Sequence, residues 1–190
     1  MTLERAATEP YEIVALDADA YVAAIPDLAS LLLDAVAGGA SVNFLAGVTA
    51  TDAAAWWTAR VPAIAAGTTT AFVARSVDSG HRADGGIIVG STLLIRSVNQ
   101  NSPHRAEIAK VLVHRSARRR GLGRALMVAA EARAMADGRW LLILDTEAGT
   151  AADAFYRSLG WQELGTMPNH AYRADGVLAP TTWFWKDLRS

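Results

Sequence analysis

Cysteine is absent from these 190 residues, which excludes disulfides, thiolate metal sites and a cysteine nucleophile. Histidine is scarce: His81, His104, His114 and His170 are scattered, with no His-x-x-x-His or Glu-x-x-His pair. A zinc centre has no ligand set here, so no metal is expected. An excess of one charge is lacking too. Lys+Arg number 18 and Asp+Glu 19, a net charge of −1, which argues against bulk affinity for nucleic acid. No uninterrupted apolar run approaches the roughly 18 residues that span a bilayer. The longest candidate, Leu28 to Val36, is interrupted by Ser30 and Asp34. The first residues lack the basic-then-apolar order of a secretory signal, so a cytoplasmic protein without membrane contact is expected. Walker loops, Gly-x-Ser-x-Gly elbows and internal repeats are also missing.

What is present suits one domain over residues 1–190. Hydrophobic residues make up 52%, enough for a sizeable core, and no linker-like stretch divides the chain. The residues before Tyr11 are polar and expected to be mobile. Tyr11 to Leu16 reads as a short strand. A helix follows from Asp19 to Val36, with Val22, Ile25, Leu28 and Leu32 at helical spacing; Pro26 predicts a kink or break. Thr51 predicts the N-cap of a second helix carrying Trp56 and Trp57 toward Ala66.

Paired strands are expected over Thr69–Arg75 and Gly86–Arg96, joined by a polar loop containing Asp78, Ser79, Gly80, Asp84 and Gly85. Arg105 to His114 reads as a strand, Leu122 to Asp137 as a helix, and Trp140 to Leu144 as a strand buried on both faces and ended by Asp145. A short helix over Thr150–Leu159 precedes two strands near Gln162–Met167 and Thr181–Leu188. This order predicts an α/β fold with mixed strand directions, in which the helix from Leu122 is a right-handed crossover between parallel strands.

Arg118-Arg119-Arg120-Gly121-Leu122-Gly123-Arg124 is the most informative stretch. Two glycines at a helix mouth let the backbone approach a ligand. The free N–H groups and dipole of that first turn attract an anion, and the arginines add formal charge. A phosphorylated ligand fits; a solvated charge run around an ordinary turn is the plainer alternative. A dinucleotide fingerprint fits less well, because Leu126 stands where its last glycine or alanine belongs.

Arg118-x-x-Gly121-x-Gly123 resembles the pyrophosphate motif of the GNAT superfamily of N-acetyltransferases. The resemblance extends from Ile108 to Leu188, and His104-Arg105-Ala106-Glu107, Leu144-Asp145-Thr146 and Phe155-Tyr156-Arg157-x-Leu159-Gly160-Trp161 are similar to the tabtoxin-resistance subgroup. One departure is Arg115, where such sequences often carry proline. The resemblance implies a single-domain GNAT fold: a mostly antiparallel sheet of about seven strands, flanked by helices, with a central splayed parallel pair. Residues 105–188 would form its acetyl-CoA-binding part. Leu112, Val113, Arg118, Arg119, Arg120, Gly121, Leu122, Gly123, Arg124 and Ala125 would hold the coenzyme. Alternation over Glu107 to His114 sets Ala109, Val111 and Val113 against Leu112, a pattern that an inserted bulge residue resolves.

Acetyl transfer to an amine needs a base for the ammonium, a donor for the oxyanion and an acid for the thiolate. Glu107 and Asp145 are the candidate bases; a turn-capping Asp145 and a Glu107 paired with Arg105 or Lys110 are the structural alternatives. An amide near the bulge, at Leu112 or Val113, is the candidate donor. The resemblance makes Tyr156 the candidate acid, against a packing role on Leu159 and Trp161. Trp56 and Trp57 form one candidate acceptor wall, and Asn169 and His170 another. Three functions remain open: an N-acetyltransferase acting on a small-molecule amine such as an antibiotic or amino-acid-like toxin, a protein N-terminal or lysine acetyltransferase, and a non-catalytic acyl-CoA-binding regulator. A monomer or homodimer is expected.

Overall fold

The computed structural model describes residues 11–76 and 86–189. The stretch before Tyr11 and the polar loop around Gly80 lie outside the described residues. The elements are β1 (Tyr11–Leu16), α1 (Ala18–Ala37), α2 (Ala50–Thr58), α3 (Val61–Ala65), β2 (Thr69–Ser76), β3 (Ile88–Arg96), β4 (Arg105–Val113), α4 (Leu122–Ala136), β5 (Leu141–Glu147), α5 (Ala151–Ser158), β6 (Gln162–Tyr172) and β7 (Leu178–Asp187). One seven-stranded sheet has the order β1-β2-β3-β4-β5-β7-β6. Every pairing is antiparallel except the central one, β4 with β5. The crossover through α4 makes that pair parallel, as the sequence predicts.

Each face of the sheet carries its own core. On one face Tyr21, Leu28, Leu31 and Leu32 of α1 join Trp57 of α2 and Leu112 of β4. On the other, Leu126, Met127 and Ala130 of α4 pack with Leu142 and Leu144 of β5, Tyr156 of α5 and Phe184 of β7. By length and composition α1 is apolar enough to cross a bilayer. Its apolar face is the wall of the first core.

Several local expectations change. α1 runs unbroken through Pro26. Proline leaves the Val22 carbonyl without its helical donor, but Val22 is half exposed and water can replace the bond. Tyr21 rather than Val22 begins the buried stripe. The N-cap of α2 is Thr49, not Thr51: Asp52 N–H donates to the Thr49 hydroxyl at 3.1 Å and the Asp52 carboxylate accepts from Thr49 N–H at 3.0 Å. This reciprocal capping box outcompetes a lone threonine. The expected single helix ends at Thr58, and Pro62 sits in the first turn of α3, where its missing N–H costs no bond.

β5 alternates instead of being buried on both faces, and it continues past Asp145 to Glu147. Leu142 and Leu144 face the α4 core; Leu141, Ile143 and Asp145 stand on the opposite, less buried face. β6 extends to Tyr172 through an irregularity between Met167 and Ala171, with Asn169 in the left-handed region at φ 51°. Asn169 and His170 therefore belong to a strand, not to a connecting loop.

Candidate functional site

The site begins where the central strands part. Arg105–Glu107 pair with Leu141–Ile143, and no pairing of β4 with β5 follows. In β4, Ser91 registers with Leu112 and Leu93 with Ala109, so Lys110 and Val111 stand opposite the single residue Thr92. This is the bulge that the apolar pattern predicts. Lys110 takes a left-handed φ of 52°, uncommon for a lysine. Ser91 Oγ donates to the Lys110 carbonyl at 3.0 Å and Thr92 Oγ1 to the Ala109 carbonyl at 3.4 Å. The extra residue reverses strand parity: Ala109 and Leu112 pack toward α1, whereas Val111 and Val113 pack toward α4. His114 N–H donates to the Val89 carbonyl at 2.8 Å. Successive amides point to opposite strand edges, so the Val113 N–H faces the gap and the Leu112 N–H faces β3.

The gap leads to the mouth of α4. Gly121 is its N-cap at φ 82°, offers no capping side chain, and faces open space where a Cβ would stand. The first-turn amides of Leu122, Gly123 and Arg124 therefore have no side-chain cap and suit an anion, whereas the Ala125 N–H already donates to the Gly121 carbonyl at 3.0 Å and is not free to join them. A Cβ at Gly123 would lie 3.2 Å from Phe155 Cζ, so this glycine also admits the ring of α5. Leu122 buries its side chain and offers only backbone. Arg118, Arg119, Arg120 and Arg124 are exposed around the mouth. Arg118 Nε donates to the Val113 carbonyl at 3.1 Å, and Arg120 Nη1 to the Tyr11 hydroxyl at 2.7 Å. Arg115, in place of the family's frequent proline, donates its backbone N–H to Asp34 at 3.0 Å, a bond proline cannot make. It ties the glycine loop to α1.

Glu107 is the last residue of β4 to pair with β5, and Asp145 stands two residues beyond its partner Ile143, where the strands have parted. Burial, then the charge of Asp145, pushes the Glu107 carboxyl above its usual range, against the pull of Lys110 and Arg105. Asp145 keeps contact with solvent, yet the surrounding protein raises its pKa, opposed by His170 and Lys110. Neither carboxylate is in an ion pair among the described residues, and Asp145 caps no turn. Tyr156 is buried among Phe155, Trp161 and Phe184. Burial first, then Asp145, raises its pKa well above the ordinary phenol value, so it stays protonated at neutral pH. Its hydroxyl has no hydrogen-bond partner among the described residues and is not a sealed atom. Asp145 thus acts electrostatically on both Glu107 and Tyr156, and the three stand on β5, β4 and α5 beside the strand gap that leads to the mouth of α4.

A family model for the acetyltransferase (GNAT) domain matches residues 69–163, half of the chain. The chain belongs to the GNAT acetyltransferase family. Among solved structures, yncA of Salmonella typhimurium, determined with acetyl-CoA, is 20% identical, with a TM-score of 0.71 and 94% of each chain covered. A GCN5-related N-acetyltransferase from Kribbella flavida is 20% identical at a TM-score of 0.72, covering 94% of this chain and 98% of that one. A ribosomal-protein-alanine N-acetyltransferase from Brucella melitensis is 25% identical at a TM-score of 0.66, covering 93% and 99%.

On this GNAT frame the segment between α1 and α2 crosses to the far side of the cleft. Ala46 N–H donates to the Ala174 carbonyl at 2.7 Å and Ser41 Oγ to the Tyr172 carbonyl at 3.5 Å. Lys110 Nζ donates to the Val42 carbonyl at 3.1 Å. The strap thus joins α1 to the β6–β7 turn and to the bulge. The two tryptophans separate. Trp57 is fully buried and is no acceptor wall, whereas Trp56 is half-buried beside Phe44, Arg60 and Lys110. Asn169 and His170 are exposed on β6; the His170 ring contacts Trp183 and its Nδ1 lies 3.1 Å from Thr181 Oγ1. Sequence reading passes over Arg60 and gives Lys110 only a pairing role. A lysine inside an apolar strand is the signal that was available.

Proposed function

We propose that this GNAT acetyltransferase transfers an acetyl group from acetyl-CoA to a primary amine of a small molecule. The strap carries the reading: bonded to both β4 and the β6–β7 turn, it closes the cleft to the extended peptide that a protein substrate would present. The uncapped mouth of α4, with Gly121 and Gly123, suits the pyrophosphate of the coenzyme, and residues 105–188 contain the elements that hold it. The three words shared with the tabtoxin-resistance subgroup support an antibiotic or amino-acid-like toxin as acceptor. A cytoplasmic, single-domain monomer or homodimer, with no metal, completes the reading.

Acetyl-CoA supplies a thioester whose carbonyl carbon is open to attack. Glu107 or Asp145, directly or through water, takes the proton of the acceptor ammonium; their raised pKa values suit a base working near neutrality. The Val113 N–H stabilises the oxygen as negative charge develops on it. The nitrogen–carbon bond forms, the carbon–sulfur bond breaks, the Tyr156 hydroxyl gives its proton to the departing thiolate, and the second proton shed by the nitrogen as the amide forms restores the phenol. The Brucella relative's name favours a second reading, transfer to a protein N-terminus.

Incubation with acetyl-CoA, a thiol reporter and a panel of small amines and peptides distinguishes these readings. Thiol release with small amines alone is expected. Release confined to peptides selects the protein-modifying alternative, and acetyl-CoA binding without turnover on any amine selects the non-catalytic regulator.

A further inference from the structure

Two cations share one indole ring on the strap side of the cleft. The Arg60 guanidinium carbon lies 3.2 Å from the Trp56 ring centroid, and Lys110 Nζ lies 4.6 Å from it. Arg60 Nη1 donates to the Trp56 carbonyl at 2.5 Å, and Lys110 Nζ to the Val42 carbonyl. Those bonds use one donor of the ammonium's three and one of the guanidinium's five. Among the described residues neither cation has a carboxylate within ion-pair distance.

Like charges placed together with no carboxylate in direct contact repel, and here both are partly withdrawn from water. Burial, then Arg60, pushes the Lys110 pKa down to about 8, against Asp145 and Glu107. Burial likewise lowers that of Arg60. Lys110 also holds a left-handed backbone that a lysine adopts only where its surroundings impose it. Such strain at a cleft wall favours a positioned group over a solvated one. Glu107, three residues before Lys110 on β4, and Asp145 on β5 bring the opposite charge to the same site. The complement of this cleft is a molecule with an ammonium at one end and an anion at the other. The mouth of α4 shares no residue with the cation pair, so the coenzyme's phosphates do not account for it.

We propose that Lys110 and Arg60, braced on Trp56, bind an anionic group of the acceptor — a carboxylate, phosphinate or sulfonate — so that zwitterions are the favoured acceptors. This rests on the small-amine reading above. The anion docks on the cation pair while the amine faces Glu107 and Asp145, which makes Lys110 and Arg60 specificity-determining residues.

The test compares L-amino acids with their carboxamides as acceptors, for the parent and for Lys110→Met, Lys110→Arg and Arg60→Gln, each checked by circular dichroism. In the parent, kcat/KM for acids should exceed that for amides by about tenfold or more, mainly through KM, the scale of one charge-assisted contact. Lys110→Met and Arg60→Gln should each bring the ratio near one, and Lys110→Arg should restore most of it. Were Lys110→Met not to fold, Arg60→Gln carries the comparison. Equal use of acids and amides by the parent, or an unchanged ratio in the folded variants, overturns the assignment. If no amine is acetylated at all, the small-amine reading fails separately. Calorimetric titration of the acids into CoA-saturated protein then decides: binding that is lost in the variants upholds the anion subsite, and no binding to the parent overturns it.

Discussion

Tyr156 combines a core ring with an unpartnered hydroxyl. Its aromatic neighbours anchor it, so Tyr156→Phe leaves packing intact and removes only the hydroxyl. Coenzyme affinity should persist while kcat drops by roughly ten- to a thousand-fold, the scale of one acid–base group. An unchanged kcat, with chemistry rate-limiting, assigns the ring to packing alone. Glu107 and Asp145 make a coupled pair of tests. If both serve one deprotonation, the losses in Glu107→Gln and Asp145→Asn are non-additive in the double variant, and the acidic limb of kcat/KM lies above the ordinary carboxylate range. Stability should move the other way. A carboxyl whose pKa is raised on folding stabilises the fold at low pH, and that contribution is lost as pH rises through the folded-state value. Both variants should therefore melt higher than the parent at pH 7, with the gain vanishing below about pH 4, where the free carboxylic acids are protonated too. A gain that is equal at both pH values would show that the carboxyl charge plays no part in it.

The bulge in β4 reverses the strand's parity, so that Val111 and Val113 pack on the face opposite Ala109 and Leu112. Ser91, fully buried, anchors it by donating to the Lys110 carbonyl. Ser91→Ala should cost about 1 kcal/mol in chemical denaturation, the usual net worth of one such bond. It should also lower kcat, because the Val113 amide takes its direction from the bulge; stability loss with unaltered kcat would sever that link. The bulge was legible in the sequence, since Leu112 breaks an alternation that its neighbours keep. The helix from Leu122 and the glycine mouth were legible for similar local reasons, whereas the strand before Asp145 was legible in place but not in its one-sided burial or its continuation to Glu147. Other features depend on what lies across the fold. Trp56 and Trp57 are adjacent, and only the packing of α2 on α1 decides which faces the cleft. Pro26 reads as a break until the exposure of Val22 removes the penalty. Lys110 reads as an ordinary strand lysine until Arg60 and the two acids are brought around it.

The whole molecule consists of two cores on opposite faces of a sheet that opens at its centre. The strap bonds to both sides of the opening, and on the small-amine proposal its length would set what can enter. Replacing residues 40–46 by a short Gly-Ser linker should release the bonds to Tyr172, Ala174 and Lys110. The expected outcome is a raised KM for small amines and new turnover of peptide amines. A variant that remains folded and still rejects peptides would place the barrier elsewhere.

The short seam between β4 and β5 also sets how backbone hydrogens exchange with water. Past Glu107 the outward edge of β4 has no ladder partner, so the amides of Val111 and Val113 have no protection from β5, although they stand in the middle strand of the sheet. Deuterium should therefore enter the centre of β4 faster than it enters the β2–β3 pairing that lies nearer the edge. A saturating coenzyme that occupies the gap should slow that uptake, so that isotope labelling reports occupancy without any turnover.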